Sequence, residues 1–128
     1  MKGATARSVL ISWLLLLYFD WLMRFGGFAR VHAVVRQQEV RSRPKAREDD
    51  SDLAHAVDLA CVFYYKRVLC LQRSAALAVL LRRKGSAAEM VIGAQLLPFQ
   101  SHAWVEIEDR VVNDKPYVHQ MFQILERC

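Results

Sequence analysis

The longest apolar run lies near the start of the chain, from Val9 to Met23, and only Ser12 and Asp20 interrupt it. Gly26-Gly27 follows and should break the first helix. Apolar residues then recur at positions 28, 31, 34 and 35, a spacing that predicts a second helix.

This apolar run has three interpretations. A transmembrane helix needs about 20 apolar residues, more than the run contains. A signal peptide would carry a cleavage site with small residues after the run, which the sequence does not show. We therefore expect a helix that is buried on most of its surface, against the domain or a partner. Peripheral membrane contact through residues 9–23 is the alternative.

The middle of the chain predicts a linker and two more helices. Residues 41–50 contain Pro44, have no apolar period, and are basic and then acidic, as in an exposed segment. Apolar spacing predicts helices over residues 52–63 and 71–84, separated by a loop at 64–67. Gly85 is a residue typical of helix C-terminal ends, which fits a helix that ends at residue 84. Because this helix is predicted to begin at residue 71, Cys70 should lie at its N-terminal end.

The last third of the chain predicts a small sheet. A buried strand should cover residues 89–97 and a half-buried strand 102–107. Glu108-Asp109 should form a turn into a short returning strand at 110–114, while residues 117–127 fit a helix or a strand equally well. The predicted fold class is α+β, with a helical segment and basic linker at 1–50 and the core at 51–128.

The amino-acid composition limits the classes of function that are compatible with the chain. With 128 residues and 54% hydrophobic content, the chain has one domain's worth of sequence and is not disordered. Of the net charge of +5, +4 arises in residues 1–50, which hold nine Lys/Arg and five Asp/Glu. The basic residues of the Arg30–Arg47 segment have no aromatic residues between them and no recognisable motif, so we expect no nucleic-acid partner. Three cysteines match neither a disulfide framework nor a zinc motif, which favours free thiols in the cytoplasm.

Cys70, His102 and Asp114 are candidate catalytic residues. A helix N-terminus favours the thiolate, because unpaired N–H groups and the helix dipole stabilise an anion. An imidazole could take the thiol proton, and a carboxylate could fix its tautomer. Each residue also has an ordinary structural interpretation, and His32, His55 and His119 are further candidates for the base.

The hairpin after His102 sets a condition on Asp114. A two-residue turn at Glu108-Asp109 would place His102 opposite Lys115, and Asp114 would then point away from the imidazole. The triad therefore predicts an extra residue or a bulge between Ile107 and Val111. A two-residue hairpin in strict register would count against Asp114.

The last two thirds of the chain contain several sequence blocks at characteristic spacing. They are Cys70-Leu71-x-Arg73-Ser74-x-x-Leu77, Leu80-Leu81-Arg82-Arg83-x-Gly85, Val91-Ile92-Gly93, Pro98-Phe99-x-x-His102-Ala103-Trp104-Val105-Glu106 and Val111-Val112-Asn113-Asp114. Together these blocks resemble one family, the lasso-peptide biosynthesis B proteins, which are leader peptidases of the transglutaminase-like cysteine protease superfamily. The resemblance covers about residues 52–127.

The resemblance implies a papain-like cysteine protease core in which Cys70 is the nucleophile, His102 the general base and acid, and Asp114 the residue that orients the imidazole. Candidate substrate-binding residues are Arg73, Tyr65 and Trp104. No cofactor or metal is implied.

The implied partners are a precursor leader peptide, a separate leader-recognition protein and an ATP-dependent lasso cyclase. Two other functions are compatible with the sequence. The same thioester could be captured by an amine, as in a transglutaminase or acyltransferase, or the domain could be a non-catalytic scaffold.

Overall fold

The computed structural model describes residues 6–40, 50–96, 99–114 and 118–128. Its elements, in chain order, are α1 (Ala6–Gln37), α2 (Asp50–Phe63), α3 (Cys70–Lys84), β1 (Ala88–Leu96), β2 (Phe99–Ile107), β3 (Arg110–Val111), α4 (Val118–Met121) and β4 (Gln123–Arg127). The predicted linker at 41–50 lies outside the described residues except for Asp50, which begins α2. The predicted α+β class is confirmed, and the undecided segment at 117–127 contains both a helical turn and a strand.

Helix α1 is bent at Gly27, as the glycine pair predicts. Gly27 has φ 72° and ψ −173°, a left-handed value of φ that side chains disfavour. Leu15 and Phe19 of the first limb and Val34 of the second line one cavity of about 260 Å³, together with Val79 of α3. The bend therefore brings the second limb back beside the first.

The first limb of α1 is apolar on two opposite faces. Its inner face is buried and includes Leu16 and Phe19, both with no exposed surface. We call the opposite face the outer stripe. Its side chains are spaced at three or four residues and are 40–70% exposed; they are Leu10, Leu14, Leu17, Trp21 and Phe25. Among the described residues, the limb is thus covered on its inner face and not along the outer stripe. By length and composition α1 could cross a membrane, although core helices and signal sequences meet the same criteria.

The four strands form an antiparallel sheet in the order β3-β2-β1-β4. Side chains alternate between its two faces. Val105 and Ile107 of β2 join the main core with α1, α2 and α3, whereas Trp104 joins a smaller cluster with Val91 and Val118 on the opposite face. His102 has the same parity as Trp104 and therefore lies on the side of the smaller cluster.

Arg82 connects three parts of the fold. The guanidinium of this buried residue donates hydrogen bonds to the carbonyls of Val35 and Gln38 at the end of α1, of Ala88 in β1, and of Cys128. Buried carbonyl groups are nearly always hydrogen-bonded, and the Arg82 guanidinium donates to four carbonyls. Arg82 thereby fixes the helical layer to both the first strand and the end of the chain.

Candidate active site

Cys70 is the first residue of α3, as predicted. The preceding residue, Leu69, has an extended backbone and provides no side-chain cap, so it leaves the N–H groups of the first turn without a capping side chain. Cys70 is half-buried. The helix ends at Gly85, whose left-handed backbone (φ 109°) closes the last turn through its N–H bond to the Arg82 carbonyl.

The structure brings His102 and Asp114 into direct contact. Nε2 of His102 lies 2.5 Å from Oδ2 of Asp114, and the two side chains are 25% and 15% exposed. A carboxylate accepts hydrogen bonds, so this geometry places the ring proton of a neutral imidazole on Nε2. The Nδ1 atom is then an acceptor.

The predicted turn length is wrong. Glu108 and Asp109 form a two-residue turn, with φ 51° and 65°, and Ile107 pairs with Arg110 and Glu106 with Val111 in strict register. Such positive φ values match the twist of a tight hairpin. Continued in this register, Asp114 would lie opposite Ala103 and face away from His102.

Asp114 reaches His102 because the returning strand ends early. Val112 donates its N–H to the Val105 carbonyl, but the reciprocal bond of a regular ladder is replaced: the Val105 N–H donates to the side-chain Oδ1 of Asn113. The backbone beyond Val111 is bent rather than extended. The register rule fails here because it assumes a strand that continues to Asp114.

Asn113 also contacts the cysteine-bearing helix. Its Nδ2 donates to Oγ of Ser74, 3.2 Å away, and the Ser74 hydroxyl donates to the Ala103 carbonyl at 3.1 Å. Ser74 is fully buried and lies one helical turn after Cys70, on the same face of α3. Cys70 therefore lies on the face of α3 that meets β2 through Ser74, although no hydrogen bond joins the Cys70 and His102 side chains among the described residues. Catalytic contacts are often longer in a ligand-free site.

His102 rests on two aromatic rings. Phe122 stacks on the imidazole with centroids 5.3 Å apart, and the Trp104 centroid lies 5.9 Å away. Gly93, the register partner of His102, makes room for them: a Cβ there would lie 2.9 Å from atoms of both Trp104 and Phe122. The glycine within a strand signals such a close approach, whereas no local pattern identifies Phe122 as a neighbour of His102.

The prediction that Trp104 binds substrate is wrong for this structure. Its side chain has no exposed surface, so it cannot touch a substrate. Its indole N–H donates to the buried Glu106 at 2.8 Å, and Arg127 donates to the same carboxylate at 2.8 Å. Trp104 is a packing residue beneath the imidazole.

The other two predicted substrate-binding residues lie towards the first two helices. The ring of Tyr65 is 68% exposed, and its hydroxyl donates to Asp20 of α1 at 3.3 Å. Arg73 is directed towards Asp58 of α2, at 3.8 Å, and its buried Nε has no hydrogen-bond partner in the part of the chain that the structure describes. Both residues flank the start of α3, and a role in substrate binding stays a prediction.

The remaining thiols differ chemically from a reactive cysteine. Burial raises the pKa of Cys61, and the nearby Arg73 only partly opposes it. Burial likewise raises the pKa of Cys128. Both thiols are therefore held in the protonated, weakly nucleophilic form.

Two comparisons with known proteins relate this chain to others. The family model described as the transglutaminase-like superfamily matches residues 13–127. The chain is 24% identical over 111 residues to the microcin J25-processing protein McjB of Escherichia coli, which covers 84% of this chain. The chain spans about half (52%) of the length of that curated relative. No solved structure gives a significant match.

The family match covers α3, the hairpin and the His102–Asp114 contact, as well as most of α1. It therefore includes every residue of the candidate site. The chain belongs to the transglutaminase-like superfamily.

Proposed function

We propose that this protein is a cysteine peptidase that removes the leader from a ribosomally made precursor peptide. The observation that carries the proposal is the contact between His102 Nε2 and Asp114, formed beside the helix that begins at Cys70. A thiol at a helix start and an oriented imidazole are the two parts that thiol-based acyl transfer requires.

The first step uses the free acceptor of the imidazole. The Nε2–H group of neutral His102 stays hydrogen-bonded to Asp114, and Nδ1 takes the proton of the Cys70 thiol. The thiolate then attacks the carbonyl carbon of the scissile peptide bond. The resulting oxyanion is stabilised by backbone N–H groups at the start of α3, which have no side-chain cap.

The second step releases the two products in turn. The imidazolium gives its Nδ1 proton to the leaving amine, the C–N bond breaks, and the leader remains as a thioester on Cys70. Water then attacks the thioester while His102 accepts a proton from it, which yields the leader carboxylate and restores the thiol.

Two findings support a precursor peptide as the substrate. The family pattern resembles lasso-peptide B proteins, and the relative McjB is by name a processing protein for microcin J25. By this reasoning the partners are a leader-recognition protein, which presents the leader, and an ATP-dependent cyclase, which uses the freed amine.

The decisive assay is mass spectrometry of a precursor peptide incubated with the recognition protein and either wild type or Cys70→Ala. Wild type should release the leader as a free acid, and Cys70→Ala should leave the peptide intact. Cys61→Ala is the matched control, because it makes the same change at a half-buried cysteine of α2, and it should cleave like wild type.

Cleavage by Cys70→Ala would contradict the proposal. Adding a primary amine tests the nature of the acyl acceptor: a leader that carries the mass of the amine in place of water would identify an acyltransferase. A free acid formed in the presence of the amine supports hydrolysis.

A further inference from the structure

A side-chain network outside the triad connects all three elements that supply it. Asn113, Ser74, the Ala103 carbonyl and the Val105 N–H are joined by three hydrogen bonds of 2.9 to 3.2 Å. Each side-chain member adjoins a triad residue: Asn113 precedes Asp114, and Ser74 lies one turn after Cys70. The main-chain acceptor, Ala103, follows His102.

The network occupies a gap that the sheet leaves open. Among the described residues, β3 pairs with only Glu106 and Ile107, so β2 is an open edge at Ala103. The backbone groups of Ala103 and Val105 point to the same edge, because they are two residues apart. Ser74 and Asn113 satisfy there the carbonyl and the N–H that a longer strand would have paired.

This arrangement fixes distances that the triad requires. Ser74 ties α3 to β2 at the residue next to His102, and Asn113 ends the strand so that Asp114 turns towards the imidazole. We propose that Ser74 and Asn113 are positioning residues that hold the helix of Cys70 and the carboxylate of Asp114 in register with His102. The inference rests on the proposed function for its kinetic part, but its structural part stands without it.

The network makes a specific prediction for the imidazole. With Asn113 in place, Asp114 holds the ring proton on Nε2, so the ¹⁵N chemical shifts of His102 should report the Nε2–H tautomer. Asn113→Ala should leave Val105 N–H without this acceptor and release the Asp114 segment. The ¹⁵N shifts should then move towards a mixture of the two tautomers, as they should in Asp114→Ala.

The kinetic prediction separates positioning from binding. Ser74→Ala and Asn113→Ala should lower the kcat of leader removal by about 100-fold, the effect of a misplacement near 1 Å, and change KM by less than about threefold. Ser74→Thr keeps the hydroxyl and should recover most of the lost rate. The matched control is Ser12→Ala, because Ser12 is a fully buried serine of α1 that donates to a backbone carbonyl.

The experiment measures His102 ¹⁵N shifts, thermal unfolding and leader removal for wild type and these variants. A tautomer change in Asn113→Ala, with Ser12→Ala like wild type, supports the inference even if no variant cleaves the precursor, in which case the proposed function alone fails. Unchanged ¹⁵N shifts in a folded Asn113→Ala would overturn the inference. So would equal rate losses in Ser74→Ala and Ser12→Ala.

Discussion

At the scale of single residues, Asp20 shows how a carboxylate within an apolar helix becomes part of the fold. Lys66 lies 3.1 Å from it, and the hydroxyl of the buried Tyr64 donates to it at 3.1 Å. Burial alone would raise the pKa of Asp20, but the hydrogen bonds from Lys66 and Tyr64 outweigh burial and lower it. Asp20 thus anchors the loop before Cys70 to α1.

Asp20→Asn should lower the free energy of unfolding at pH 7 by about 1 kcal/mol, because the asparagine cannot pair as an anion with Lys66. Because the folded pKa of Asp20 lies below the ordinary aspartate value of 3.8, the stabilisation is present above pH 3.8 and is lost as the pH falls through the folded pKa. The difference in unfolding free energy between wild type and Asp20→Asn should therefore become smaller at acidic pH.

Urea unfolding at pH 7 and near pH 3 measures this difference. Asp58→Asn is the matched control. Partial desolvation raises the pKa of Asp58, despite Arg73 and His55, and its side chain is 53% exposed, so its charge does not stabilise the fold and the variant should lose little stability at neutral pH. Equal losses for the two variants would contradict the assignment of Asp20 as an anchor.

Two of the three candidate site residues could be placed from local patterns in the sequence. Cys70 begins a helix with a clear stop at Gly85, and His102 lies on an alternating strand. The roles of Asn113 and Phe122 could not be predicted in this way, since they depend on where β3 ends and on how α4 returns to the sheet.

At the scale of elements, β1 and β2 depend on one small residue. Gly93 pairs with His102, and the site's aromatic rings occupy the space where a side chain at position 93 would lie. The alternation of β2 predicts which of its residues share a face, but it does not predict that a neighbouring strand must lack a side chain there.

Gly93→Ala should reduce both stability and leader removal. The added Cβ would come within 2.9 Å of Trp104 and Phe122, so the rings beneath His102 must shift. We expect a loss of about 2 kcal/mol in unfolding free energy, as is usual for overpacking, and a lower kcat. A Gly93→Ala variant as active and stable as wild type would show that the rings do not need this space.

At the scale of the whole molecule, Arg82 joins the helical layer to the sheet. Arg82→Ala should lower the free energy of unfolding by about 3 kcal/mol, because it removes the guanidinium hydrogen bonds to the carbonyls of Val35, Ala88 and Cys128. Arg83→Ala, a change at the adjacent exposed arginine, is the control and should cost much less. Denaturant midpoints compare the two variants, and equal costs would contradict this structural role of Arg82.

The outer stripe of α1 should make the isolated chain self-associate, since contiguous exposed apolar surface is rare in monomeric proteins. The triple variant Leu10→Gln, Leu14→Gln and Trp21→Gln should raise the monomer fraction in sedimentation velocity at equal protein concentration. Leu125→Gln, at an apolar residue that is 63% exposed elsewhere, should not. A wild type that is monomeric at high concentration would contradict this prediction.

The periodicity of apolar residues predicts most of the helices and strands of this molecule, because the helix and strand periods depend only on the spacing of residues close together in the sequence. It does not predict which faces remain uncovered. The first limb of α1 is apolar on two opposite faces, and its packing against the other helices decides that Leu16 is buried while Leu14 is exposed.

The central claim is that Cys70 is a nucleophile activated by His102, and competition between the three thiols tests it without a precursor peptide. The intact folded protein is treated with iodoacetamide at pH 7, and peptide mass spectrometry follows each cysteine over time. Cys70 should react at least about tenfold faster than Cys61 and Cys128, whose pKa values burial raises. His102→Ala should remove most of that advantage. Equal labelling of the three cysteines, or a Cys70 rate unchanged by His102→Ala, would contradict the account.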